Sequence, residues 1–349
     1  MKKNYLISLI IVTAIAFFVV WQLTSVWLTQ KDEASEKSLG IIGQCIVISN
    51  GVGTMFRDFQ FLNENQGWGV TNNSLWKTED GGLTWIEIRK ASTVELPYFG
   101  SHEDIMEKVQ FLSRSEGWII EGRHLMHTTD GGASWQKHEF EHVIVRSFHF
   151  LDSDNGWFAG QLLRLPSTKE DVETWHPVVY GTKDGGKTWS SLFTGPEDRY
   201  PLWDVWAISS KEIWAVGAFI LHSDDGGKTW EKVSVKNRQG MSGIPVKIQF
   251  LNSNIGWIIT NEENGYLFTN NGGKSWESRQ ALAGAVYIGR VVHITSMEAW
   301  AVAGNLYQST DSGKSWVKVE EGDYSRIQYL KNENILFAAG KRIARCKLP

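Results

Sequence analysis

Five carboxylates and one carboxamide recur at one position of one octapeptide, and acid–base chemistry is the first use such a set suggests. Asp80, Asp130, Asp184, Asp225, Asn271 and Asp311 each stand third in a segment of the form Ser/Thr-x-Asp/Asn-x-Gly-x-Ser/Thr-Trp. The segments end at Trp85, Trp135, Trp189, Trp230, Trp276 and Trp316. Paired carboxylates would suit glycoside hydrolysis. The surrounding residues argue for a different role. An Asp or Asn at this point bonds its own nearby backbone, as in an Asx turn. The glycines that follow supply the positive φ angles of a tight hairpin. The Trp then lands on the returning strand, where its apolar surface is expected to be buried. The octapeptide carboxylates therefore read as hairpin staples, with no catalytic residue among them.

Other residues with chemical potential are weaker candidates. His124, His127, His138 and His142 fall close together. His124 and His127 are three apart on a strand and so face opposite sides. His138 and His142 share a face but stand about 13 Å apart at the usual strand rise. No metal site or cofactor is assigned, and an inter-strand pair such as His124 with His138 is the geometry that remains. Glu103, Asp104, Glu170, Asp171, Glu197 and Asp198 are the carboxylates available to a glycosidase, but no pairing among them is dictated.

The elements that position these residues follow from the spacing. The octapeptides begin 40 to 54 residues apart, a period that marks a β-propeller. A second repeat precedes each of them. It reads Phe61-x(5)-Gly-Trp68, Phe111-x(5)-Gly-Trp118, Phe150-x(5)-Gly-Trp157 and Phe250-x(5)-Gly-Trp257, with degenerate copies ending at Trp214, Trp300 and Phe337. Each copy is a strand end, a polar turn and a strand start. The octapeptide joins the third strand to the fourth. The expectation is an all-β fold, a propeller of seven four-stranded antiparallel blades over residues 41–349. Of 18 Trp, six sit in the octapeptides and six in the second repeat. Aromatic content is thus repeat-encoded core, and a carbohydrate-stacking platform finds no support in it.

The N-terminus carries a different signal. Residues 4–30 hold no charged side chain, and 5–28 are nearly all apolar. About 20 such residues span a bilayer. Lys2 and Lys3, in a short cytoplasmic segment 1–4, place the N-terminus in the cytoplasm and the propeller outside it. One N-terminal transmembrane helix, an uncleaved signal anchor, is expected, followed by a stalk over 29–40. The alternative is a cleaved signal peptide, for which the apolar run is long. The net charge of −4 lacks the basic excess of a nucleic-acid binder.

Propeller topology decides which loops share a face. Octapeptide hairpins and the turns before Gly-Trp lie on one face. Blade-to-blade connections and the loops between second and third strands lie on the other, where the irregular segments Lys90–Asp104, Leu163–Val178, Phe193–Leu202 and Lys236–Gly243 gather. Binding residues concentrate in such loops. Trp175 in the second of them is a candidate partner anchor. One column of the innermost strands reads Asp58, Lys108, Ser147, Asp204, Lys247, Arg290 and Arg326. It should line the central channel near the irregular face. Lys108, Lys247, Arg290 and Arg326 would give a positive field able to attract an acidic segment or a small anion. The last blade lacks a fourth strand, and residues 44–48 can supply it. Cys45 and Cys346 would then be neighbours and form a disulfide in an oxidising compartment.

Both repeats together resemble those of the photosystem II stability and assembly factor family, propellers built on BNR repeats or Asp-boxes. The resemblance covers about residues 45–346. It implies a non-catalytic scaffold or assembly factor that binds a membrane or extracytoplasmic protein. Where members of that family have a lipid-attachment Cys, this chain has an apolar segment. The second functional class is an extracytoplasmic glycoside hydrolase of sialidase type, or a carbohydrate-binding propeller. The first blade opens Met55-Phe-Arg-Asp-Phe59, and Arg57 lacks the Arg-Ile-Pro context of sialidases.

Overall fold

Gly67 and Phe61 face each other across a hairpin, and that contact explains the second repeat. A Cβ on Gly67 would lie 2.8 Å from the Phe61 ring, and one on Gly117 would lie 2.5 Å from the Phe111 ring. The glycine leaves room for the ring to lie on bare backbone. The Trp that follows reaches the next blade. Trp68 stacks on Phe111 at 4.0 Å, and Trp118 stacks on Phe150 at 4.2 Å. Phe337 stands where the last repeat lacks Trp, and it stacks on Phe61 at 3.8 Å. Each such pair adds about 0.5–1.5 kcal/mol beyond area burial. One repeat thereby builds a hairpin and joins it to its neighbour.

The computed structural model describes residues 44–49, 51–96, 100–103, 105–164, 174–235, 243–261, 265–280 and 290–348, within which every regular element is a strand. The expected membrane span 5–28 and stalk 29–40 lie outside the described residues. No helix among the described residues is long and apolar enough to cross a membrane.

Five four-stranded antiparallel sheets form blades one to five. Blade one, for example, runs Asp58–Phe61, Gly67–Val70, Ser74–Thr78 and Ile86–Lys90. A six-stranded sheet follows, and its register divides it into two blades. Arg290–His293 pairs along 299–302, whereas 304–308 pairs with 317–324. Gly304, at φ 74°, separates those halves. Residues 324–330 then pair with Ile335–Gly340, which pairs with Ile343–Lys347. Gln44–Ser49 lies beside that last strand and completes the sheet. Cys45 and Cys346 are joined by a disulfide across 301 residues of sequence.

Burial grades outward along each blade. The second strands Gly117–Glu121 and Ile213–Gly217 are buried at every residue, because both faces meet neighbouring blades. The fourth strand Ile86–Lys90 is largely exposed. The octapeptide Trp residues depart from expectation. Trp276 is buried, but Trp85, Trp135, Trp189, Trp230 and Trp316 are only half-buried. They stand just before the outer strand, at the rim of the blade, so one edge meets solvent.

Two expected loops also contain strands. Thr93–Leu96 and Gly100–Glu103 form a separate two-stranded hairpin within Lys90–Asp104. In blade three, Gly156–Arg164 and Thr174–Thr182 continue as paired strands well into the expected loop Leu163–Val178.

Candidate functional site

Octapeptide chemistry is settled by its hydrogen bonds. Asp184 Oδ1 accepts from Thr182 Oγ1 at 2.8 Å and from the Thr188 amide at 2.9 Å, and Oδ2 accepts from Thr188 Oγ1 at 2.6 Å. Asp80, Asp130, Asp225 and Asp311 repeat the pattern, and Asn271 does so with Ser275. Hydrogen bonds from Thr188 hold the Asp184 carboxyl down to about 2. Such a group is ionised at neutral pH and has no proton to donate as a general acid. Backbone bonds from Gly81 to Asn65 and from Gly131 to Ser115 tie the octapeptide hairpins to the turns before Gly-Trp, on one common face.

The charged column converges in the centre. In blades two, three, four, five and seven the first strand carries a one-residue bulge, at Glu107, Arg146, Trp203, Val246 and Ser325. A bulge re-aims the side chain that follows it. That next residue is Lys108, Ser147, Asp204, Lys247 and Arg326. Asp58, Lys108, Lys247 and Arg290 line one cavity of about 390 Å³.

Most charged groups of this column find partners inside the channel. Arg290 pairs with Asp58 at 2.9 Å, and the Arg290 side chain is mostly shielded. Lys108 donates to Ser147 Oγ at 2.7 Å and reaches Asp204 at 3.4 Å. Ser147 Oγ also donates to Asp204. Arg326 donates to the carbonyls of Arg57 and Ser325. Ser325 apart, these partners come from other blades, so Lys108, Arg290 and Arg326 are engaged within the channel. Burial would raise the Asp58 carboxyl, but Arg290, Lys247, Lys108 and Arg326 together hold it below the usual range. Asp204 is likewise held down against burial, by Lys108, Lys247 and its hydrogen bonds. Burial, with Arg290 and Lys108 nearby, pushes Lys247 down to about 7. Burial and Arg290 lower Arg326 to about 9, still cationic at neutral pH.

Two residues further along the same strands lies a ring of amides. Gln60 Oε1 accepts from the Phe111 amide, and its Nε2 donates to the Phe111 carbonyl at 3.1 Å. Gln110 clasps Phe150 in the same way, and Gln328 clasps Phe61. His149 substitutes in blade three. Its Nδ1 accepts from the Ala207 amide at 3.0 Å, and its ring stacks on Trp206.

The bulged residues themselves stand at the irregular-face end of the first strands. The Arg146 guanidinium lies over the Trp203 ring at 5.2 Å. Arg146 Nε is buried without a hydrogen-bond partner among the described residues. Burial raises the neighbouring Glu107 carboxyl, against the pull of Arg146 and Arg57. Sequence reasoning left Arg146 and Trp203 unassigned. Trp175 falls elsewhere, half-buried in Thr174–Thr182 opposite Leu163, and its carbonyl accepts from the Asp198 amide at 2.9 Å. It does not line the channel cavity. The histidines do not assemble as considered. His138 pairs opposite Leu125, not His124. His127 stacks on Trp118 at 3.9 Å, and burial lowers it to about 4. Among the described residues no cluster of three or more metal-ligand side chains occurs.

No curated protein sequence matches this chain. Among solved structures, "YCF48 bound to D1 peptide" is similar with a TM-score of 0.60 at 22% identity, covering 88% of this chain and 97% of that one. "YCF48 from Cyanidioschyzon merolae" is similar with a TM-score of 0.61 at 19% identity, covering 86% and 98%. A GH74 xyloglucanase from Xanthomonas campestris is similar with a TM-score of 0.59 at 10% identity, over 86% of this chain and 52% of that one. At such identities the likeness shows the propeller fold alone. At the level of sequence, residues 46–144 and 144–287, more than half of the chain, match the family described as "Photosynthesis system II assembly factor YCF48", and the chain belongs to that family.

Proposed function

We propose that this protein is a non-catalytic scaffold that binds a membrane protein through the irregular face of its propeller. Segment 5–28 tethers it as a single-pass anchor, with the N-terminus cytoplasmic and the propeller extracytoplasmic. The observation that carries the reading is Arg146 stacked on Trp203 at the channel mouth, with a buried Nε lacking a partner among the described residues. A half-buried Arg–Trp pair offers an aromatic surface and a directional donor to an incoming chain. Lys108, Lys247, Arg290 and Arg326 lie below it and contribute a positive potential, and Trp175 extends the contact in blade three. A family relative was solved as "YCF48 bound to D1 peptide", which supports a peptide-binding role.

The test is co-purification from native membranes. Wild-type protein should retain a specific membrane protein, while Trp203→Ala and Arg146→Glu lose it and keep their melting temperature. Cleavage of glycosides by purified protein, abolished by Glu107→Gln, would replace this reading with the hydrolase one.

A further inference from the structure

We infer that the central channel is a binding site for a small organic carboxylate, whose anionic end sits on Lys247. The site shares Lys247 with the contact proposed above, but anion binding is tested without a partner and does not depend on that reading.

The channel holds four cations, Lys108, Lys247, Arg290 and Arg326, against two carboxylates, Asp58 and Asp204, and Arg326 is engaged by backbone carbonyls. Asp58 is satisfied by Arg290 and by the Val109 amide at 3.2 Å. Asp204 is satisfied by Ser147, by Lys108 and by the Ile248 amide at 3.1 Å. Lys247 lines the same cavity and has neither an ion pair nor a hydrogen bond among the described residues. A shielded ammonium without a partner is costly, and an anion beside it removes that cost.

A second observation lies next to it. Gln249 follows two positions later on the same strand, so its side chain projects on the same side about 7 Å away. Gln60, Gln110 and Gln328 each clasp the next blade, but Gln249 Oε1 is buried with no hydrogen-bond partner among the described residues. The Nε2 of the same amide has no partner among the described residues either, and that N–H group is the donor left for a carboxylate. Two unspent polar groups, Lys247 and Gln249, thus adjoin on one wall of the cavity.

Shape and access complete the case. Trp206, stacked with His149 at 4.3 Å, and Phe250 supply apolar walls. A cavity of about 390 Å³ falls in the range of small-molecule sites, which combine apolar walls with a few placed polar groups. The lining runs on to Leu251 and Lys331 at the ends of the first strands. Entry is therefore from the octapeptide face, where exposed Lys331 favours anions.

The experiment is calorimetric titration of the full chain in detergent with sodium succinate and sodium benzoate, at constant ionic strength and pH 6.5. At least one probe should bind saturably with one site per chain. Lys247→Met should weaken it by about tenfold or more, the loss of one charge-assisted hydrogen bond. Gln249→Leu should weaken it to a smaller extent. Lys331→Met should weaken it less than Lys247→Met does, through loss of the steering charge alone. Absence of saturable binding to the wild type, equal binding by Lys247→Met, or the same heat from sodium chloride overturns the proposal. The wild-type titration decides even if a variant does not fold. Absence of anion binding to the wild type leaves the partner reading standing, because Arg146 and Trp203 carry that reading.

Discussion

Replacing Gln328 by Met removes one clasp and should open the seam that closes the ring. Gln328 Oε1 accepts from the Phe61 amide at 2.6 Å, and its Nε2 donates to the Phe61 carbonyl at 3.0 Å, between residues 267 apart in sequence. Phe61 is 1% exposed, so water cannot take over either group. Met keeps the length and apolar stem of the side chain, which isolates the amide. Two net hydrogen bonds are worth about 1 kcal/mol each, and stranding a buried N–H and C=O raises the expected loss to about 2–4 kcal/mol. The assay is urea unfolding of the oxidised protein, followed by tryptophan fluorescence. Gln249→Met is the internal comparison, because that amide clasps nothing among the described residues, and it should leave stability unchanged or raise it. Equal losses from the two variants, or a loss below about 0.5 kcal/mol for Gln328→Met, would refute the clasp as a closing device.

Three further outcomes are expected. Reducing Cys45–Cys346 should lower the melting temperature by calorimetry, corresponding to a loss of up to about 5 kcal/mol, because the bridge constrains nearly the whole chain. Gly117→Ala should destabilise by about 1–3 kcal/mol in the same unfolding assay, since the new Cβ would meet the Phe111 ring at 2.5 Å. Lys247 also sets a pH dependence among its neighbours Arg290, Asp204, Lys108 and Asp58, with its proton leaving at about 7 in the folded state. The unfolded chain binds that proton up to its ordinary value, so the Lys247 contribution to stability rises as pH increases above about 7. Carboxylate affinity should fall over the same rise, because the anion needs the ammonium. Succinate titrations at pH 6.5 and 8.5 check the direction, and unchanged affinity would contradict it.

The parts visible in the sequence were those fixed by local pattern. Phe-x(5)-Gly-Trp and the octapeptide each form within one hairpin, so their spacing carried the blade. The charged column was also legible in place, because strand periodicity sends Lys108 and Lys247 the same way. Its pairing was not. Arg290 finds Asp58 232 residues away, and Lys108 finds Asp204 96 residues away. No spacing rule foretells partners that meet only when the ring closes. The bulges were hidden for another reason. One extra residue at Arg146 or Trp203 leaves the alternation intact on either side and changes only the register. A usable signal was present for two of the clasps, since Gln precedes the repeat Phe at Gln60 and Gln110. Thr93–Leu96 likewise has the β-branched alternation of a strand, but the Pro97 beside it made a loop the easier reading.

The central claim is that a membrane-protein partner meets the irregular face. A photoreactive amino acid placed at Trp203, and separately at Lys187 in an octapeptide, tests it in native membranes. The account predicts one cross-linked membrane protein from position 203 and none from position 187. Cross-linking from 187 alone, or none from either site while the protein sits in its membrane, would contradict it.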